Sequence, residues 1–242
     1  MNTICAYIPD NLAAGFPEKL KLLRELKLCS LEVRQEELPL ESLPMAEVLC
    51  IRNLLYDEGC AIGLYQTKIK GLKKAAVQQI LQSAHLLETE HILYDPEGCT
   101  DEEIAFFFKA AASFDIPVMV ENKASSILSD AAAIEAFLKK HPCGVAFNPL
   151  EFVKLKQHPF FHVYYNSRLK NNISLLRLND GIYLDGSATP LAQGNGEIKE
   201  LISIMKARSF SGMFSLSPYL PGSTAEDLAN MAAWLRSTLK GL

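Results

Sequence analysis

Several signatures are missing from this sequence, and each absence closes a class of function. Nowhere do about eighteen apolar residues run together, so no helical membrane span is expected. Lys and Arg number 24 against 28 Asp and Glu, a formal charge of −4, and no basic stripe marks a nucleic-acid surface. The densest basic patch, Lys68, Lys70, Lys73 and Lys74, reads as a solvated face. No Gly-x-Ser-x-Gly elbow, P-loop or Rossmann fingerprint is present. His158 and His162 have helical spacing, but Pro159 lies between them and no HExxH pattern appears. The start, Met-Asn-Thr-Ile-Cys, has no basic segment before an apolar one, and reads as a first strand rather than a signal peptide. No Pro/Gly/Ser-rich linker divides the chain, so one domain over 1–242 is expected. Among six cysteines, Cys5, Cys29, Cys50, Cys60, Cys99 and Cys143, no CxxC pair occurs. They are expected to be reduced, core-lining thiols of a cytoplasmic protein.

What is present is a repeating pattern. Eight short apolar runs end in polar residues at regular intervals: Thr3–Ile8, Ser30–Arg34, Cys60–Gln66, His91–Asp95, Ile116–Glu121, Gly144–Asn148, Ile173–Leu178 and Met213–Ser217. Helix-like stretches separate most of them. Leu20, Leu23 and Leu26 form one stripe, and Ala76, Ile80, Leu81, Ala84 and Leu87 another. Thr100 to Glu103 reads as a capping box, and Gly59 as a helix stop. Strand and helix alternating eight times is the sequence form of an α/β fold, a single (β/α)8 TIM barrel. The length of 242 residues fits such a barrel, typically about 250 residues. Barrels of this kind carry their sites at the C-terminal strand ends, so the residues there are the candidates.

Sequence pieces at those ends resemble a known family. Val120-Glu121-Asn122, Val145-Ala146-Phe147-Asn148-Pro149, Leu175-Leu176-Arg177-Leu178-Asn179-Asp180-Gly181, Pro190 to Ile198 and Phe210 to Ser217 follow one another in the order of the xylose isomerase-like TIM barrels. This is the sugar phosphate isomerase/epimerase and endonuclease IV superfamily. Leu26 to Arg34 loosely fits a turn of the same family. The resemblance implies a divalent metal held by Glu, Asp, His and Glu, and proton transfer between two carboxylates beside it. Carried over by position, those four side chains fall on Glu121, Asn148, Arg177 and Ser217. Only the first is the family's residue.

The substitutions alter the charge balance. Glu121 is negative, Arg177 positive, Asn148 and Ser217 neutral, and the formal sum is zero. An arginine donates only and cannot ligate a metal. We therefore expect no bound metal and no cofactor, and a two-point pair between Glu121 and Arg177. That pair either fills the vacated metal position or joins in binding a substrate. Lys123 shares the strand side of Glu121. It is a candidate for a phosphate or carboxylate contact, or a Schiff base, or else a solvated loop lysine. Glu151, beyond the sixth run, is a candidate substitute acid or base. Tyr7 and Tyr65, and also Tyr94, fall near strand ends; they line a pocket and stack on a sugar, or pack as a rim. The Gly194-Asn195-Gly196 segment before a helix either cradles a phosphate on its amides or simply makes a turn.

The resemblance implies a sugar isomerase/epimerase-like barrel with a degenerate metal site. It would bind a small sugar, polyol or sugar phosphate at the strand ends, with the family's metal-assisted epimerisation disabled. The alternative is a non-catalytic binding or scaffold barrel. The endonuclease IV activity is set aside for want of its His-rich ligands and basic groove. The sequence leaves the oligomeric state open. Restoring the family residues with the triple change Asn148→Asp, Arg177→His and Ser217→Glu should create divalent-metal affinity, measurable by calorimetric titration with Mn²⁺. Failure would mean the strand ends are misaligned.

Overall fold

A computed structural model of the chain describes residues 3–241; Met1 and Asn2 of the expected first segment, and Leu242, lie outside the described residues. The strands expected from the periodicity are present: β1 (Ile4–Tyr7), β2 (Ser30–Arg34), β3 (Ala61–Lys68), β4 (His91–Asp95), β5 (Val118–Glu121), β6 (Gly144–Phe147), β7 (Ile173–Arg177) and, after a two-stranded excursion, β10 (Met213–Leu216). They form a closed barrel in the order β1-β10-β7-β6-β5-β4-β3-β2. The fold is thus a (β/α)8 TIM barrel with helices α1 (Phe16–Glu25), α2 (Met45–Asp57), α3 (Lys74–Leu86), α4 (Asp101–Ser113), α5 (Ala131–Lys140), α6 (Pro149–Lys154), α7 (Ile198–Ala207) and α8 (Ala225–Gly241). By its internal contacts the chain divides into two compact units, Cys5–Val120 and Met1–Ile4 with Glu121–Leu242.

In the unit Cys5–Val120, parallel pairing runs from β1 to β5, with a register shift in β2 between Leu31 and Glu32. Helix α4 opens with the capping box read from the sequence: the Thr100 hydroxyl accepts from the Glu103 amide, and the Glu103 carboxylate accepts from the Thr100 amide at 2.8 Å. Gly59 follows α2 at a φ of 61°, which a side-chain-bearing residue adopts at a cost. Tyr94 is buried and stacks on Phe107 with ring centroids 4.2 Å apart. The Phe106-Phe107-Phe108 run therefore contributes to packing at this point.

In the other unit, β6, β7 and β10 pair in parallel. The Asp130 side chain caps α5 by accepting from the Ala133 amide. The region around Pro159 is a π-helical turn, Pro159–Tyr164, followed by a 3-10 turn at Leu169–Asn171. Within the stretch 180–195, β8 (Asp180–Gly181) and β9 (Ala188–Thr189) pair antiparallel. Two-residue strands carry no readable alternation. Helix α7 begins at Ile198, after Glu197 at a left-handed φ of 51°.

The cysteines differ from expectation. Only Cys5 and Cys60 are buried, while Cys29 and Cys50 are exposed. Apolar neighbours in sequence do not guarantee burial, because one face of an amphipathic helix such as α2 is wet.

One buried base makes stability depend on pH. Burial lowers the His91 pKa from its ordinary 6.5, and its Nδ1 is buried with no hydrogen-bond partner among the described residues. A folded-state pKa below the unfolded one means that the unfolded chain binds more protons. The His91 contribution is therefore full above pH 6.5 and is lost as pH falls through the lowered value. Chemical denaturation across this window should show declining stability, flattened in His91→Gln.

Candidate functional site

The C-terminal ends of β5, β6, β7 and β10 place four charged or polar side chains together. Period-two alternation turns Glu121, Arg177 and Ser215 to a common side of their strands. Arg177 Nε donates to Glu121 Oε1 and Arg177 Nη2 to Oε2, both at 3.1 Å. The pair expected from the sequence is therefore a two-point fork. Its side chains are 6% and 10% exposed. Arg177 Nη1 donates to Ser215 Oγ at 2.8 Å, and Asn148 Nδ2 donates to Glu121 Oε1 at 2.8 Å.

Asn148 itself is clamped. The Asn122 carboxamide accepts from the Asn148 backbone N–H at 2.7 Å and donates to the Asn148 carbonyl at 2.9 Å. Asn122 stands where the β5–β6 ladder would continue, and its amide imitates a backbone pair. One atom remains unmatched: Asn148 Oδ1 is buried and has no hydrogen-bond partner among the described residues.

Neither Ser215 nor Asn122 was singled out from the sequence. Ser215 was within reach of that reading, since it lies two residues before Ser217 on the same strand side and pairs in register with Arg177. Ser217 is buried and donates to Asn179 Oδ1 at 3.1 Å.

The other candidates fall elsewhere. The Glu151 carboxylate accepts from the Ala124 amide at 2.9 Å and pairs with Lys154 at 2.5 Å. Its role in this geometry is to hold the turn after β5. Lys123 is half-buried at the start of that turn, where its amide donates to the Leu128 carbonyl.

In the unit Cys5–Val120, Tyr7 is buried beneath the Arg34 guanidinium, 3.8 Å from the ring centroid, and donates to Glu37 at 3.2 Å. Glu37 also takes Lys19 at 2.6 Å. Burial pushes the Tyr7 hydroxyl up to about 12. Of the two options for Tyr65, the structure shows packing. The residue is 0% exposed, and its hydroxyl donates to the Leu38 carbonyl at 2.8 Å and accepts from the Leu40 amide. It secures the segment after β2 to β3.

Of the two options for Gly194 to Gly196, the turn is the one the structure shows. The amides of Gly194 and Gly196, with that of Gly181, donate to the Asp180 carboxylate at 2.7–2.9 Å. A Cβ at either Gly194 or Gly196 would collide with that carboxylate. Glycine is required there, but the anion is internal.

The donor set does not fit the divalent metal that the resemblance implies. Both Glu121 oxygens already accept from a guanidinium, and Ser217 is committed to Asn179. A guanidinium has no lone pair to give, and its charge repels a cation at short range. Among the described residues no group of three His, Cys, Asp or Glu side chains converges.

Comparison with known proteins agrees with the fold. No family model and no curated protein matches the sequence. Solved structures do match. A xylose isomerase-like TIM barrel protein from Mycobacterium smegmatis, in complex with magnesium, is 16% identical with a TM-score of 0.75, covering 100% of this chain and 97% of its own. A xylose isomerase domain protein from Planctomyces limnophilus is 13% identical, with a TM-score of 0.74 over 99% and 97%. A D-tagatose 3-epimerase-like protein is 13% identical, with a TM-score of 0.73 over 98% and 97%. At these identities the likeness shows the fold alone, a (β/α)8 barrel.

Breaking the fork from one side should be costly. Arg177→Ala strips the Glu121 carboxylate of its counter-charge in a nearly dry site, and a loss of about 3–5 kcal/mol is expected by urea denaturation. The neutral pair Glu121→Gln with Arg177→Met should recover most of that loss. A double-mutant cycle measures the difference.

Proposed function

We propose that this chain is a sugar isomerase/epimerase-like barrel that works without the divalent metal that the resemblance implies. It binds a small sugar, polyol or sugar phosphate at the C-terminal ends of β5, β6, β7 and β10, in the cytoplasm. The observation that carries this reading is the Arg177 fork on Glu121, which supplies an internal cation at the position the resemblance assigns to a metal. Asn148 Oδ1 supports it, since a buried acceptor with no partner is matched by a ligand hydroxyl. Metal-assisted epimerisation requires two carboxylates and an electrophile. Glu121 is the one carboxylate among the four positions, and its pairing with Arg177 leaves no unengaged base there. Any activity is therefore of an isomerase or epimerase type that does not use these four positions as the resemblance implies.

One observation favours the non-catalytic reading. Arg177 and Asn148 are each 5% exposed and Ser217 is 7% exposed, so the ion pair itself fills the position. A binding or scaffold barrel would need nothing more from it. A thermal-shift screen of neutral sugars, polyols and sugar phosphates, run with and without EDTA, separates the two. A working site gives a ligand-dependent rise in Tm that EDTA leaves unchanged and Asn148→Ser abolishes. An EDTA-sensitive rise overturns metal independence, and no response at millimolar ligand favours the scaffold.

A further inference from the structure

A second cleft lies apart from the fork. It has a volume of about 430 Å³ and lies between the segment after β9, the segment after β10, and helix α8. Its apolar wall includes Leu191, Met231 and Trp234, the single tryptophan of the chain, and its polar lining includes Gln193, Asn230 and Tyr219. Trp234 is half-buried rather than enclosed in the core. Gln193 and Asn230 are exposed, and among the described residues neither side-chain amide has a protein partner.

The surrounding framework is fixed. The Tyr219 hydroxyl donates to the Thr189 carbonyl at 2.6 Å, tying the two segments together. The Gln193 amide closes a turn on the Pro190 carbonyl at 3.0 Å, with Ala192 at a φ of 63°. That turn prefers glycine at this position. Thr224 and Asp227 cap α8 through reciprocal bonds of 2.8–3.2 Å.

We propose that this cleft binds a neutral hexopyranose. A pyranose combines an apolar C–H face, suited to an indole, with a rim of hydroxyls, suited to carboxamides that both donate and accept. Charge argues against an anionic ligand: the lining carries the Asp227 carboxylate and no Lys or Arg. Phosphorylated sugars are therefore disfavoured here. This proposal stands independently of the strand-end site.

The tryptophan is its own reporter. D-glucose, D-galactose and D-mannose are titrated into the full chain while Trp234 emission is recorded. The expected result is a saturable change with at least one of them at a millimolar Kd, weakened about tenfold in Asn230→Leu, a surface change that spares the core. No saturable change, or a response that survives Asn230→Leu, overturns the proposal.

Discussion

The bidentate contact between Arg177 and Glu121 is the constraint around which the strand ends are arranged. Two opposite charges at about 4 Å attract by roughly 4 kcal/mol at an effective dielectric of 20. Withdrawing each ion from water costs several kcal/mol. The attraction alone does not offset both penalties, so the pair persists only because its remaining hydrogen-bonding capacity is used. Ser215 takes Nη1, and Asn148 adds a further bond to the carboxylate. Asn122 in turn fixes Asn148 through its backbone. Each neighbour answers a requirement set by the ion pair, which makes the cluster specific in geometry even where its net contribution to stability is small.

The same logic governs the segment between β7 and α7. Asp180 is 1% exposed, and a carboxylate so enclosed needs donors. Three backbone amides provide them, and the glycines at 194 and 196 exist because a side chain would occupy the carboxylate's place. A glycine-rich turn before a helix is the sequence pattern of an anion site, and here an anion does sit on it. The anion belongs to the chain. In both clusters a buried charge of the chain meets partners that the chain itself supplies.

How much of this was legible in the sequence depended on range. The barrel strands and the α4 capping box follow from patterns within a few residues, and alternation and capping act at that distance. The Glu121–Arg177 pair was readable because a positional resemblance placed two opposite charges at the ends of β5 and β7, which flank β6 in the barrel. Ser215 was missed because a carry-over by position selects one residue per strand, whereas a guanidinium contacts whatever lies in register beside it. Asn122 was missed because alternation assigns it to the opposite side from Glu121, and only the structure reveals its amide standing in for the ladder. For Tyr65 the choice between pocket and packing was not legible, because its place near a strand end says nothing of the segment 38–40 that folds over its hydroxyl. The β8–β9 pair, held by two residues on each strand, left no periodicity to read.

Fold and chemistry separate cleanly in this molecule. A TM-score of 0.75 at 16% identity means that the topology persists while most side chains change. The architecture depends on strand alternation, on helix stripes and on a core such as Leu31, Ile62, Leu64, Phe147 and Phe214. Nothing in that list requires a metal. A carboxylate cluster at strand ends does require a counter-charge, since several like charges in a site of low dielectric repel one another strongly. A bound dication is one solution, and a guanidinium carried by the chain is another. The second differs in consequence: its charge is present at every metal concentration, and its fork geometry fixes the partner carboxylate. A site neutralised in this way gains permanence and gives up the Lewis acidity that a dication lends to substrate oxygens. What such a centre retains is neutral hydrogen-bonding capacity, which is the character of Asn148 Oδ1, buried with no hydrogen-bond partner among the described residues.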